Sequence, residues 1–271
     1  MAEIASDKSI YRTVRQVAES EAYRLYLCTQ VETERQYLLQ IASAVEYNGE
    51  MQRLAFILEK LEVEAERLEK EYEAIKKEPN VMLNYGLGFP ELIDSFVYSE
   101  QGGRMVNILA FRNVNKVSQM VPLSNIASKD RQRIDLRTSA WIMGKLLKML
   151  SFAHSQSVSV GLLSGNNILI EPNEHYVVIF DWLFARMYQE IPEKIQQTEI
   201  SEAAKAVFIA LGGDPETGLL PEEESDASYT AYLQRLVSGD EKNAQKAHKD
   251  FYDLVDKLWV REYHPFTSKP R

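Results

Sequence analysis

Hydrophobic and polar positions alternate with period two over Ile10–Val14, Tyr23–Thr29 and Gln36–Ala42. β-branched and aromatic residues are enriched there, so three strands are predicted, joined by polar connectors at 16–22 and 30–35. The period then changes. Leu54, Leu58, Leu61, Ala65, Leu68, Tyr72 and Ile75 recur at alternating four- and three-residue steps, which predicts a helix over Met51–Lys77 with one apolar stripe. Glu and Lys fill its other faces, with Glu66 and Lys70 at favourable spacing. Such a stripe packs against the chain's own sheet, or pairs two copies as a coiled coil through residues 51–77. The helix is longer than the sheet requires, so its distal part is expected to protrude. Pro79 and the glycine-bearing stretch Asn84–Gly88 end it.

Phe89–Tyr98 and Arg104–Phe111 read as a hairpin across Glu100–Gly103, and Pro122–Asn125 opens a short helix. A second long helix is predicted over Arg133–Ser155, with Ile134, Trp141, Ile142, Leu146, Met149, Leu150 and Phe152 on its apolar side. Two β-type runs, Asn167–Ile170 and Tyr176–Phe180, flank the turn Glu171–His175. Further on come an apolar helix, Glu199–Leu211, ended by Gly212 and Gly213, and two amphipathic helices, Tyr229–Val237 and Asn243–Trp259. The last residues, Arg261–Arg271, are polar with two prolines and read as a mobile tail.

The hairpin around Glu171–His175 carries the candidate chemistry. Antiparallel pairing brings the start of one strand to the end of the other, so Asn167 and Asp181 are expected side by side. An amide oxygen and a carboxylate converging there are ligands for a hard cation such as Mg²⁺. The same two side chains also suit a purely structural role, capping the loop by bonding to backbone.

This arrangement resembles the catalytic centre of the protein-kinase-like fold, whose pattern is H-R-D-L-x-x-x-N, a hairpin, then D-F-G. Val160–Asn167 stands where the first motif would be and Asp181–Leu183 where the second would be. The resemblance implies an α+β, two-lobed fold: a β-rich N-lobe with one long helix over 1–112, and a reduced helical C-lobe over 113–271. It implies Asn167 and Asp181 as metal ligands, ATP and Mg²⁺ as the ligands to test, and Ala110, Phe111 and Arg112 as the hinge that would meet an adenine. Much else departs from the pattern. Leu162 takes the place of the catalytic Asp, Gly161 that of the Arg, and Ser164 that of the following Lys. Gln40 stands where the phosphate-contacting Lys of the third strand would be, so a partner Glu sought among Glu59, Glu62 and Glu66 has no Lys to pair with. Arg24 on the neighbouring strand is the one substitute cation. The first connector holds Val17–Glu21, with two carboxylates and no glycine, where a phosphate-cradling G-x-G-x-x-G would lie. Trp182 and Leu183 replace the Phe and Gly of D-F-G, and Ile191–Glu193 resembles A-P-E after a short segment. His154 matches the His before the catalytic strand and reads as structural, satisfying carbonyls at the helix end.

Composition narrows the partners. The chain has 271 residues, 45% of them hydrophobic, and a net charge of −9, which argues against a general nucleic-acid or anionic-membrane binder. No apolar run reaches the roughly 18–20 residues of a membrane span, and the N-terminus lacks the layout of a secretory signal. Cys28 is the lone cysteine, so a reducing, cytoplasmic compartment is the default. Three functional readings remain. The leading one is a catalytically inactive, pseudokinase-type module acting through a protein partner, with nucleotide binding weak or absent. The long helix, the acidic loop Glu222–Glu224 and the groove between lobes are its candidate surfaces. The alternatives are an unconventional Mg-nucleotide-dependent phosphotransferase on the same fold, and a helical interaction protein outside it, which would have no hairpin between 167 and 181.

Overall fold

The computed structural model describes residues 2–76, 82–114, 116–221, 227–260 and 262–271. The acidic loop Glu222–Glu224 and the helix-breaking Pro79 lie outside them. The chain divides into two compact units, one of Met1–Met120 with Trp182–Phe184, the other of Val121–Asp181 with Ala185–Arg271. No described helix is long and apolar enough to cross a membrane.

In the first unit the alternating stretches become β1 (Glu3–Ala5), β2 (Ile10–Glu19), β3 (Tyr23–Gln30), β4 (Gln36–Ala42), β5 (Glu91–Tyr98) and β6 (Arg104–Ala110). They form a six-stranded sheet in the order β1-β2-β3-β4-β6-β5, and every pairing is antiparallel. The sheet curls, so that its two edges meet. Tyr98 donates its hydroxyl to the Glu3 carbonyl (3.4 Å), and Ser6 donates to Asp94 (2.6 Å). One face buries Tyr11, Cys28, Tyr37, Leu39, Ile41, Val106 and Ile108 around Ile4 of β1. Burial pushes the Cys28 thiol up to about 12. Strand β2 runs past the predicted Val14 to Glu19, because two bulges, at Thr13/Arg15 and Gln16/Ala18, keep its polar end paired. The first connector thus shrinks to a tight turn in which Ser20 N–H donates to the Tyr23 carbonyl (2.8 Å).

The other face of the sheet receives the long helix, α1 (Asn48–Ile75). Asn48 fixes its start, donating to the Gly103 carbonyl and accepting from Met105 N–H, both at 2.8 Å. The predicted stripe is buried at Leu54, Leu58, Leu61 and Ala65, joined by Met51, Ala55 and Ile57. Each buried Leu or Ile contributes roughly 1.5–3 kcal/mol. Beyond Ala65 nothing on the helix is buried; Leu68 and Tyr72 are half-buried and Ile75 is exposed.

The second unit contains β7 (Val121–Pro122), α2 (Ser124–Ser128), β8 (Gln132–Ile134), α3 (Leu136–Ser155), β9 (Val158–Ser159), β10 (Ile168–Glu171), β11 (Tyr176–Ile179), β12 (Arg186–Met187), α4 (Glu193–Ala210), α5 (Ala227–Ser238), α6 (Ala244–Leu258) and β13 (Ser268–Pro270). α3 is the central element, apolar and buried along most of its length. Gly144 lets α6 come close, since a Cβ there would lie 2.8 Å from the Phe251 ring. The sequence expectation started α3 at Arg133. It starts instead after Asp135, whose carboxylate accepts from Thr138 N–H (2.7 Å) as an N-cap. Residues 132–134 form β8, and their partner is the end of the chain. The expected mobile tail is therefore anchored: β13 pairs with β8, His264 bonds Asp135 (2.8 Å), and Arg271 N–H reaches the Arg131 carbonyl (3.0 Å).

Candidate functional site

The hairpin forms as its sequence predicts. Ile168 lies opposite Ile179 and Glu171 opposite Tyr176, which places Asn167 beside Asp181. Asn167 is buried, and its amide is spent on backbone. Its Nδ2 donates to the Leu162 carbonyl (2.7 Å) and to the Asp181 carbonyl (3.1 Å), and its Oδ1 accepts from Asp181 N–H. One side chain thereby ties the 161–167 loop to the end of β11. Among the described residues, no group of three or more His, Cys, Asp or Glu is placed to hold a metal ion.

The loop itself is held from α4. Glu199 accepts from Gly161 N–H through Oε1 (2.7 Å) and meets His154 Nε2 through Oε2 (2.6 Å). The side chains of His154 and Glu199 are only 5% and 3% exposed, so this is a buried polar cluster. His154 therefore serves a carboxylate and not the helix-end carbonyls expected from its position. Gly161 has φ +89°, a left-handed conformation that glycine adopts at no steric cost. Glu202, one turn further along α4, accepts from Leu163 N–H (3.3 Å); desolvation raises its pKa. Gly165 sits against Ser124 at the start of α2, where a Cβ would lie 3.2 Å from Ser124 N. With its backbone fixed at these points, the loop presents Leu162, 42% exposed.

In the first unit, Gln40 points to the α1 face of the sheet, opposite Leu25 and Asn107. It is 1% exposed, and its Oε1 has no hydrogen-bond partner. Asn107 beside it is satisfied, accepting from Ser95 (2.7 Å) and donating to the Met51 carbonyl (3.1 Å). Arg24 cannot stand in for a lysine. It pairs with Ile41, so its side chain leaves the opposite face of the sheet, exposed. The α1 carboxylate has found another cation: Glu62 pairs with Arg112, whose guanidinium also lies 4.0 Å from Glu69. Of the residues expected at the hinge, Ala110 ends β6 opposite Glu91, and Phe111 is buried with its carbonyl accepting from Val114 N–H (3.2 Å). Arg112 is committed to α1 through its side chain. Trp182 is fully buried with its ring edge-on to Phe89 (6.3 Å), and the Leu183 carbonyl accepts from Arg53 of α1 (3.2 Å).

Sequence reasoning passed over Glu199, Glu202 and the Arg112 side chain. Glu199 and Glu202 lie at the start of what reads as an apolar helix, Glu199–Leu211. Their only sequence signal is an i,i+3 acid pair ahead of an apolar run. Arg112 carried a signal only as a lone cation at a strand end.

No family model matches the chain, and no curated protein matches it in sequence. Solved structures do match. The chain superposes on the BubR1 kinase domain with a TM-score of 0.64 at 9% identity, covering 94% of this chain and 83% of that one. It superposes on vaccinia related kinase 3 with a TM-score of 0.63 at 14% identity, covering 97% of this chain and 93% of that one. At such identities the likeness carries the fold and not the activity. The chain has a two-lobed, α+β, protein-kinase-like fold, with a curled β-rich N-lobe and a reduced helical C-lobe. A helical protein outside this fold is ruled out, because the hairpin that reading excludes is present.

Proposed function

We propose that this protein is a catalytically inactive kinase-like module that acts by binding a protein partner. The observation that carries the reading is the exposed Leu162 at the end of a tightly fixed loop, where phosphoryl transfer needs a carboxylate to orient the attacking hydroxyl. The phosphate side agrees. Gln40 brings no charge, and the β2–β3 turn offers Glu19 and Glu21 where a triphosphate needs backbone N–H groups and cations. These residues do not fit a magnesium triphosphate. The partner surface we favour is the outward flank of α1. There Phe56 and Val63, two helical turns apart, are 57% and 64% exposed. The flank suits a partner protein, a second copy of the chain included.

A second reading has one observation in its favour: Asn167 and Asp181 are side by side, as a metal-assisted phosphotransferase would have them. Calorimetric titration of ATP, with and without Mg²⁺, into the wild-type protein and Asp181→Ala separates the two. The binding-module reading expects no magnesium-dependent heat and no transfer of the γ-phosphate. Saturable Mg-ATP binding that is lost in Asp181→Ala and is accompanied by turnover would overturn it.

A further inference from the structure

The sheet-facing stripe of α1 leaves an opposite ridge that packs against nothing in the sheet. Helix periodicity places Gln52, Phe56, Glu59, Val63, Glu66 and Lys70 along it, and all six are exposed. A solvated helix face ordinarily carries polar residues. Here Phe56 and Val63 lie on one line, about 10 Å apart, with more than half of each side chain in water. Neither is part of the core, and Val is a poorer helix former than Ala or Glu. Core packing and helix propensity therefore account for neither residue.

The charges around this line are mostly negative. Between Gln52 and Glu73 the helix carries seven acids and four bases. The cations beside the line are taken up within the helix: Arg67 lies between Glu64 (2.9 Å) and Glu71 (2.7 Å), and Lys70 bonds Glu66 (3.0 Å). Glu59, between Phe56 and Val63, has no such partner among the described residues. The ridge thus offers two apolar side chains with an uncommitted carboxylate between them. Of the occupants that the binding-module reading leaves open, charge selects one. A second copy would lay an acidic ridge against itself, bringing Glu59 and Glu66 towards their own likes. A partner helix with apolar residues seven apart and a cation between them matches both the spacing and the charge. We propose that the outward ridge of α1 docks a basic amphipathic helix of a partner protein, with two apolar side chains on Phe56 and Val63 and an arginine or lysine on Glu59. The proposal rests on the binding-module reading and gives its partner a chemistry.

The probe is a synthetic alanine-based helix with two leucines seven residues apart and arginines between them. Its counterpart carries glutamates in place of the arginines. Each is labelled with a fluorophore and titrated with the full chain at low salt, followed by anisotropy. The arginine peptide should bind saturably, and at least tenfold more weakly to Phe56→Ser and to Glu59→Arg. The glutamate peptide should bind Glu59→Arg better than it binds the wild type. That exchange separates a cation seated on Glu59 from general attraction to an acidic protein. Both substituted side chains are exposed, so melting midpoints should stay at the wild-type value, which checks folding. Absence of saturation at millimolar concentration, equal binding of the arginine peptide by the wild type and either variant, or a wild-type dimer in sedimentation that Phe56→Ser disperses would overturn the proposal. Each of these outcomes leaves the inactive-module reading standing, because the Mg-ATP titration tests that reading through Asp181 and not through α1.

Discussion

The 161–167 loop and the Gln40 position of the sheet treat a buried polar side chain in opposite ways. At the loop, Asn167 makes three hydrogen bonds to backbone, and Glu199 of α4 bonds Gly161 N–H and His154, so the loop's backbone is held from both. In the sheet, Gln40 keeps a polar atom in an almost wholly buried place where nothing bonds to it. The difference separates two reasons for a polar residue to persist. Asn167 has a folding reason that holds with no metal or nucleotide present. Gln40 has none in the described structure, and nothing there explains its unpaired oxygen. An Asn in the right motif position is thus weak evidence of chemistry, because the same amide is required to hold the loop's shape.

The strongest way to break this comparison is at Glu199. Replacing it with Ala strips the acceptors from Gly161 N–H and His154 in a buried setting, for an expected loss of about 3–5 kcal/mol in denaturant unfolding. Glu199→Gln keeps one acceptor and should lose clearly less. If Glu199→Ala unfolds at the wild-type midpoint, the loop is not held from α4 and its shape needs another cause.

A smaller effect is expected at the hairpin. Asn167→Ala removes three bonds to backbone groups and should cost about 2–3 kcal/mol, measured with metal and nucleotide absent. Asp181→Ala should leave the two bonds between these residues in place, because both are made by the Asp181 backbone. A loss below about 1 kcal/mol in Asn167→Ala would return Asn167 to a role outside folding.

What the sequence made legible follows the same division. Period-two and period-3.6 runs placed β2–β6, α1, α3 and the 167–181 hairpin, since each buries one face and must repeat its apolar positions to do so. The pairing of Asn167 with Asp181 followed from hairpin geometry alone. What stayed hidden is short or relational. β8 and β13 have three residues each, too few to show a period, and their pairing joins distant parts of the chain. The polar end of β2 reads as a connector, and only its bulged pairing with β3 makes it a strand. Glu199 reads as one more acid on a helix, and Arg112 as a hinge residue known for its backbone. Their partners, Gly161 N–H and Glu62, are set by tertiary contacts that composition does not carry.

The smallest effect, and the sharpest test of the comparison, lies at Gln40. Methionine matches the glutamine side chain in length and places a thioether where the amide is now. If the buried Oε1 is as isolated as it stands, Gln40→Met removes a desolvated acceptor and gains apolar burial. The variant should then be as stable as the wild type or more so, by up to about 1 kcal/mol. In thermal unfolding this is an unchanged or slightly raised midpoint, with the packing of Leu25, Leu38 and α1 retained. A loss of more than about 1 kcal/mol would mean that the amide has a bonding role in the fold after all. Gln40 would then belong with Asn167, and both regions would keep a buried polar side chain for one and the same reason, to hold their own backbone.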